Sequence, residues 1–149
     1  MPIADIEQIT PELTWRLRRD VLYPGEYKHN MGMTEDEHGT HFGAFADGKL
    51  VGVVSLFHQG TDFQFRKFAI DPSVQQQGIG RQLLQYITDQ AAENGATRLW
   101  CNARSTATGF YAKAGFTETS NVFSKNGFEY VIMEKLLISD IGGSIPDLG

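Results

Sequence analysis

Two dipeptides constrain this chain more than any other feature: Asp47-Gly48 and Asn126-Gly127, each set between strand-like runs. An Asx-Gly link reads as the tight turn of a β-hairpin, because both residue types accept the positive φ that such turns demand. The first joins His41 to Ala46 with Leu50 to Phe57, and a third run, Phe63 to Ile70, follows Gln59-Gly60-Thr61-Asp62. The second joins Phe116 to Ser124 with Phe128 to Leu137. Antiparallel neighbours are thus written into both halves of the chain.

Helical periodicity interrupts these runs. Thr10-Pro11 reads as an N-cap followed by Pro at the first helical position, and Leu13, Leu17 and Val21 recur four apart before Pro24. From Gly80 to Ala92, the residues Leu83, Leu84, Ile87 and Ala91 mark one helical face, with Asn94-Gly95 as a stop. Ala107 to Ala114 forms another helix, ended by Gly115. Ile3 to Ile9 adds a first strand and Thr97 to Cys101 a short buried one. The order is β-α-β-β-β-α-β-α-β-β, an α/β fold with a mixed, mostly antiparallel sheet of six or seven strands flanked by helices. A length of 149 residues suits one domain over residues 1–138. The segment 139–149 has three glycines, one proline and no periodicity, which predicts a flexible tail. Tyr23 to Thr40 is long, polar and aperiodic, as functional connections often are.

Bulk properties exclude several function classes. A net charge of -5 argues against a nucleic-acid platform, which relies on clustered Lys and Arg. No run approaches the roughly 18 apolar residues of a membrane span. Cys101 is the sole cysteine, and the first residues carry no basic-then-apolar leader pattern, so a cytoplasmic location is expected. His29, His38 and His41 lack any metal-ligand spacing, and no metal is expected.

The run from Phe68 to Arg81 passes from strand through Asp71-Pro72 and Gln75-Gln76-Gln77-Gly78-Ile79-Gly80 into a helix start. Gly78 and Gly80 allow close backbone approach, and the unpaired N–H groups of the first helical turn form an anion site. Arg81 and the Gln75 amide can add donors. A dinucleotide loop fits poorly, since Leu83 replaces the third glycine and no acidic residue ends the strand at Leu99-Trp100-Cys101. No Lys follows the glycines, which excludes a Walker loop. A plain Gly-rich turn remains the alternative on the glycines alone.

A second segment changes that balance. Asn102-Ala103-Arg104 and Phe110-Tyr111-Ala112-Lys113-Ala114-Gly115-Phe116 follow the loop by about 25 to 35 residues. In this order the two segments resemble the GNAT superfamily of N-acetyltransferases over roughly residues 1 to 137. The resemblance implies that acetyl-CoA is the acyl donor and that the acceptor is an amine of a small molecule or peptide. It implies a direct, ternary-complex transfer; a non-catalytic acyl-CoA-binding module is the alternative. The backbone of Phe68, Ala69 and Ile70 would pair with the pantetheine arm. Gln75, Gln76, Gln77, Gly78, Ile79, Gly80 and Arg81 would hold the pyrophosphate. Asn102, Ala107, Phe110, Tyr111 and Lys113 would complete the coenzyme contacts, and Tyr111 would protonate the departing thiolate. Family members often pair, so a homodimer is implied as well.

A closer subgroup also looks similar through Gln64-Phe65-Arg66 and Trp100-Cys101-Asn102-Ala103-Arg104. Here Tyr130 stands where that subgroup carries His. Candidates for a base are His41, His58, Glu26 and Glu129. Two-residue periodicity puts Gln64, Arg66 and Phe68 on one strand face, where Arg66 could meet an anionic substrate group. Arg66, His41 and Tyr130 are therefore the expected acceptor-side residues.

Overall fold

The computed structural model describes residues 4–137, so the expected tail 139–149 and the strand residue Ile3 lie outside the described residues. Seven strands form one mixed sheet in the order β1-β2-β3-β4-β5-β7-β6. They are β1 (Asp5–Ile9), β2 (Thr40–Ala46), β3 (Lys49–Gln59), β4 (Asp62–Ile70), β5 (Arg98–Arg104), β6 (Thr117–Lys125) and β7 (Phe128–Leu136). The helices are α1 (Trp15–Leu17), α2 (Ile79–Glu93) and α3 (Thr108–Lys113). Both dipeptide turns are as the sequence demands: Asp47 and Gly48 have φ of 53° and 75°, and Asn126 and Gly127 of 52° and 81°. Two successive positive φ values match the twist of the flanking strands.

Two compact units can be distinguished, residues 4–57 with 65–87, and residues 58–64 with 88–137. In the first, β1 pairs antiparallel with β2, and β2 with β3. Its core gathers Leu17, Val53 and Ala69, with Ile9, Val21, Leu22 and Leu50 packed against them. Ile79, Leu83, Leu84 and Ile87 of α2 are buried as the 3.6-residue period requires. Gly52 is small by necessity, because a Cβ there would come within 2.8 Å of Ile70 Cδ1.

The helical stretch after Pro11 departs from expectation. It runs as a 3-10 turn (Pro11–Thr14), then α1, then a π turn (Arg18–Leu22). Leu13 is exposed, and its place on the buried side is taken by Thr14 and Arg18. Winding that changes pitch along its length cannot keep one residue in four on the same side. Thr10 makes no side-chain cap; its carbonyl accepts from the Leu13 N–H instead.

In the second unit β7 pairs antiparallel with β5 and with β6. The parallel pairing of β4 with β5 spans Asp62/Arg98, Phe63/Leu99 and Gln64/Trp100. Arg98 ties this corner together, donating to Glu134 at 2.7 Å and Asp62 at 3.2 Å. Leu99, Cys101, Ala103, Val131 and Met133 form the buried side of these strands.

Candidate functional site

The loop after β4 is built by local hydrogen bonds. Asp71 caps the turn Pro72–Val74: its carboxylate accepts from the Ser73 N–H at 2.9 Å and the Ser73 hydroxyl at 2.8 Å. Those contacts, the backbone N–H foremost, hold the Asp71 carboxyl below the usual range. The Gln75 side chain does not reach outward as expected. Its amide donates back to the Ile70 carbonyl at 3.0 Å, bracing the loop rather than offering a donor. Gln76 and Gly78 are both left-handed, with φ of 66° and 91°. Residues 75–78 are exposed, and the Gly78 carbonyl accepts the first helical bond, from Gln82. The N–H groups of Ile79, Gly80 and Arg81 thus open a 15-residue helix and have no intrahelical acceptor. That arrangement suits a phosphate. Gly80 itself is helical, so only Gly78 requires positive φ.

Upstream, β4 contains a feature that its sequence does not announce. Lys67 has φ of 57° inside the strand. Phe63 and Phe65 are buried, and strict alternation would bury Lys67 next. Lys67 is instead half-buried, while Ala69 is buried in step with Phe63 and Phe65, and Ile70 is buried beside it. Gln64, Arg66 and Phe68 are each half-buried, and the Phe68 ring lies 6.0 Å from that of Phe65. Arg66 is not a free cation either, since Glu35 lies 3.4 Å from its guanidinium and the Phe57 ring centroid 5.9 Å away.

His41 belongs to the interior. Its Nε2 donates to the Asp36 carbonyl at 2.8 Å, and its Nδ1 meets Ser55 Oγ at 2.7 Å. Ser55 Oγ also accepts from Arg18, whose two Nη atoms donate to the Asp36 carboxylate at 2.9 and 3.0 Å. Arg18 further donates to the Met31 carbonyl. All four side chains are buried. Burial pulls the Asp36 carboxyl up, but the Arg18 hydrogen bonds and the Met33 N–H outweigh it, and the net shift is downward. With both ring nitrogens engaged, His41 is no acceptor-side contact or base in this arrangement. Of the other candidate bases, Glu26, His58 and Glu129 are all exposed.

In the second unit, Asn102 points to the exposed side of β5, between buried Cys101 and Ala103. Ala107 precedes α3, Phe110 and Lys113 are exposed on it, and Tyr111 is buried. The spacing Phe-Tyr-x-x-x-Gly-Phe has a structural cause. Gly115 has φ of 94°, its N–H donates to the Ala112 carbonyl, and the Phe116 N–H donates to the Tyr111 carbonyl. This is the Schellman end, completed by ring contact between Tyr111 and Phe116 at 6.1 Å. Burial, and the neighbouring Cys101, push the Tyr111 phenol well above its ordinary value, so it keeps its proton at neutral pH. Burial likewise pushes the Cys101 thiol up to about 12, which makes it inert as a nucleophile. Tyr130 pairs with Arg104 across β7 and β5 and stacks on Phe123 at 5.2 Å.

A family model for the acetyltransferase (GNAT) domain matches residues 7–137. The chain belongs to the GNAT acetyltransferase family. It is an acyltransferase, similar over its length to the Bacillus subtilis (strain 168) uncharacterized N-acetyltransferase YitI. The two are 29% identical over 145 residues, 91% of this chain and 97% of that one. The ribosomal protein bS18-alanine N-acetyltransferase of Escherichia coli (strain K12) is 29% identical over 118 residues, 77% of this chain and 72% of that one. In fold, the chain is similar to a GNAT family acetyltransferase from Elizabethkingia anophelis with acetyl-CoA bound. There the TM-score is 0.72 at 19% identity, covering 90% of this chain and 98% of that one. The span matched by the family model takes in both the loop 75–81 and α3.

Proposed function

We propose that this GNAT chain acetylates a primary amine of a small molecule or peptide by direct transfer from acetyl-CoA within a ternary complex. The observation that carries the reading is the exposed, doubly left-handed loop 75–78 opening straight into α2. When bound, acetyl-CoA supplies an acetyl group activated as a thioester. The N–H groups of Gln76 to Arg81 hold its pyrophosphate, and the backbone of Phe68, Ala69 and Ile70 aligns the pantetheine arm. A backbone N–H in that stretch is the natural donor to a developing oxyanion. Asn102, Ala107, Phe110 and Lys113 add coenzyme contacts. Tyr111 would hold a proton at Oη for the sulfur as the C–S bond breaks and the C–N bond forms, and the proton lost by the amine would pass to water.

The acceptor would meet the segment 23–40 and the β6–β7 hairpin, where Tyr130 stands. Arg66 favours acceptors that can compete with Glu35 for it. A cytoplasmic homodimer completes the reading, its assembly testable by sedimentation velocity.

A panel of amines, including a peptide with N-terminal alanine, is incubated with acetyl-CoA and read by free-thiol release. Release with at least one amine is expected. Coenzyme binding without any turnover would leave a binding module, and no binding would overturn the reading altogether.

A further inference from the structure

The left-handed backbone at Lys67 has no glycine to make it easy, so something must hold it. The Lys67 ammonium donates to the Tyr23 hydroxyl, and the ring centroid of Tyr23 lies 4.6 Å from Nζ. Tyr23 is itself fixed from both sides. Its N–H donates to the Arg18 and Arg19 carbonyls at 3.1 and 3.2 Å, and its carbonyl accepts from the Glu26 N–H at 3.1 Å. Arg18, at the start of the π turn, is anchored by Asp36 and Ser55. A π turn inside a helical stretch commonly marks a functional position. Here it presents one aromatic hydroxyl to one strained lysine.

We infer that Tyr23 and Lys67 are a positioning pair: Tyr23, by binding the Lys67 amine, holds β4 in its left-handed turn and so aims the N–H groups of Phe68 to Ile70. The inference rests on the acyl-CoA reading for its consequence in catalysis, but the backbone claim stands apart from it. Neither residue touches the reacting atoms; the pair acts through the strand that does.

Lysine is poorly suited to positive φ, whereas asparagine adopts it readily through its short polar side chain. Four variants separate the roles: Tyr23→Phe, Lys67→Met, Lys67→Asn, and Tyr23→Phe combined with Lys67→Asn. Amide hydrogen exchange is followed at residues 66–70, together with kcat and both KM values. Tyr23→Phe and Lys67→Met are each expected to speed exchange there roughly tenfold and to lower kcat by a similar factor. Lys67→Asn should restore slow exchange and turnover, because its backbone no longer needs the anchor. Adding Tyr23→Phe to Lys67→Asn should then change neither by more than about twofold.

If Lys67→Asn is as damaging as Lys67→Met, the amine acts directly and the inference falls. An equal effect of Tyr23→Phe in both backgrounds would overturn it as well. Were the wild-type chain to turn over no amine, the acyl-transfer reading would fail, while the exchange pattern would still decide whether Tyr23 holds the strand.

Discussion

Tyr111 occupies the third-last position of α3 because Gly115 and Phe116 close the helix around it, and that location buries its phenol. The neutral phenol carries the proton that the proposed acid role requires. Tyr111→Phe should therefore lower kcat by about a hundredfold, within the usual range for a general acid, and leave coenzyme affinity within about twofold. Steady-state thiol release with calorimetry of CoA binding checks both. Asp36 carries a different consequence. Its lowered carboxyl contributes stability above the ordinary carboxylate value, near 4. That contribution is lost as pH falls through the lower folded value. Urea unfolding from pH 6 to pH 2 should show wild-type stability declining through that window, with a flatter profile for Asp36→Asn. At pH 7, Asp36→Asn should cost about 3–5 kcal/mol by leaving Arg18 buried without its counter-charge, whereas Arg18→Met with Asp36→Leu should cost much less. Arg18 and Lys67 give no sequence signal, since an arginine in a helix and a lysine in a strand usually face water.

At the scale of elements, the loop 71–78 and α2 stand or fall together. Asp71 fixes the turn, Gln75 braces it, and Gly78 supplies the conformation that lets α2 begin with its donors exposed. Gly80→Val should weaken coenzyme A binding about tenfold or more by obstructing backbone approach while α2 stays folded, and calorimetry with circular dichroism reads the two effects separately. Unchanged affinity would move the phosphate site elsewhere. The helices α2 and α3 were legible because their periods are strong and their stops are glycines. The hairpin strands were legible because Asx-Gly turns mark them, whereas β5 runs on to Arg104, beyond the expected end at Cys101. The stretch 11–22 was not, because three kinds of helical winding follow one another there. The left-handed turn at Lys67 was not legible either, because no glycine marks it.

For the whole molecule, one tryptophan lies in each compact unit, Trp15 in the first and Trp100 in the second. We propose that residues 4–137 unfold as a single domain. Single-tryptophan variants carrying Trp15→Phe or Trp100→Phe should then give coincident urea midpoints after correction for the stability of each, and separated midpoints would mean two domains. By itself the sequence determined the order of elements, both hairpins, the helix stops at Gly95 and Gly115, and the family motifs at 75–80 and 110–116. Each depends on neighbours a few residues apart, so local sterics and hydrogen bonding suffice. Only the tertiary structure decided that His41 and Arg18 are interior, that Glu35 occupies Arg66, and that Tyr23 reaches Lys67. Those pairs lie from 5 to 44 residues apart and meet through the packing of α1, the segment 23–40 and the sheet. No local rule encodes such meetings, because burial and pairing belong to the folded ensemble of contacts rather than to any one stretch of chain.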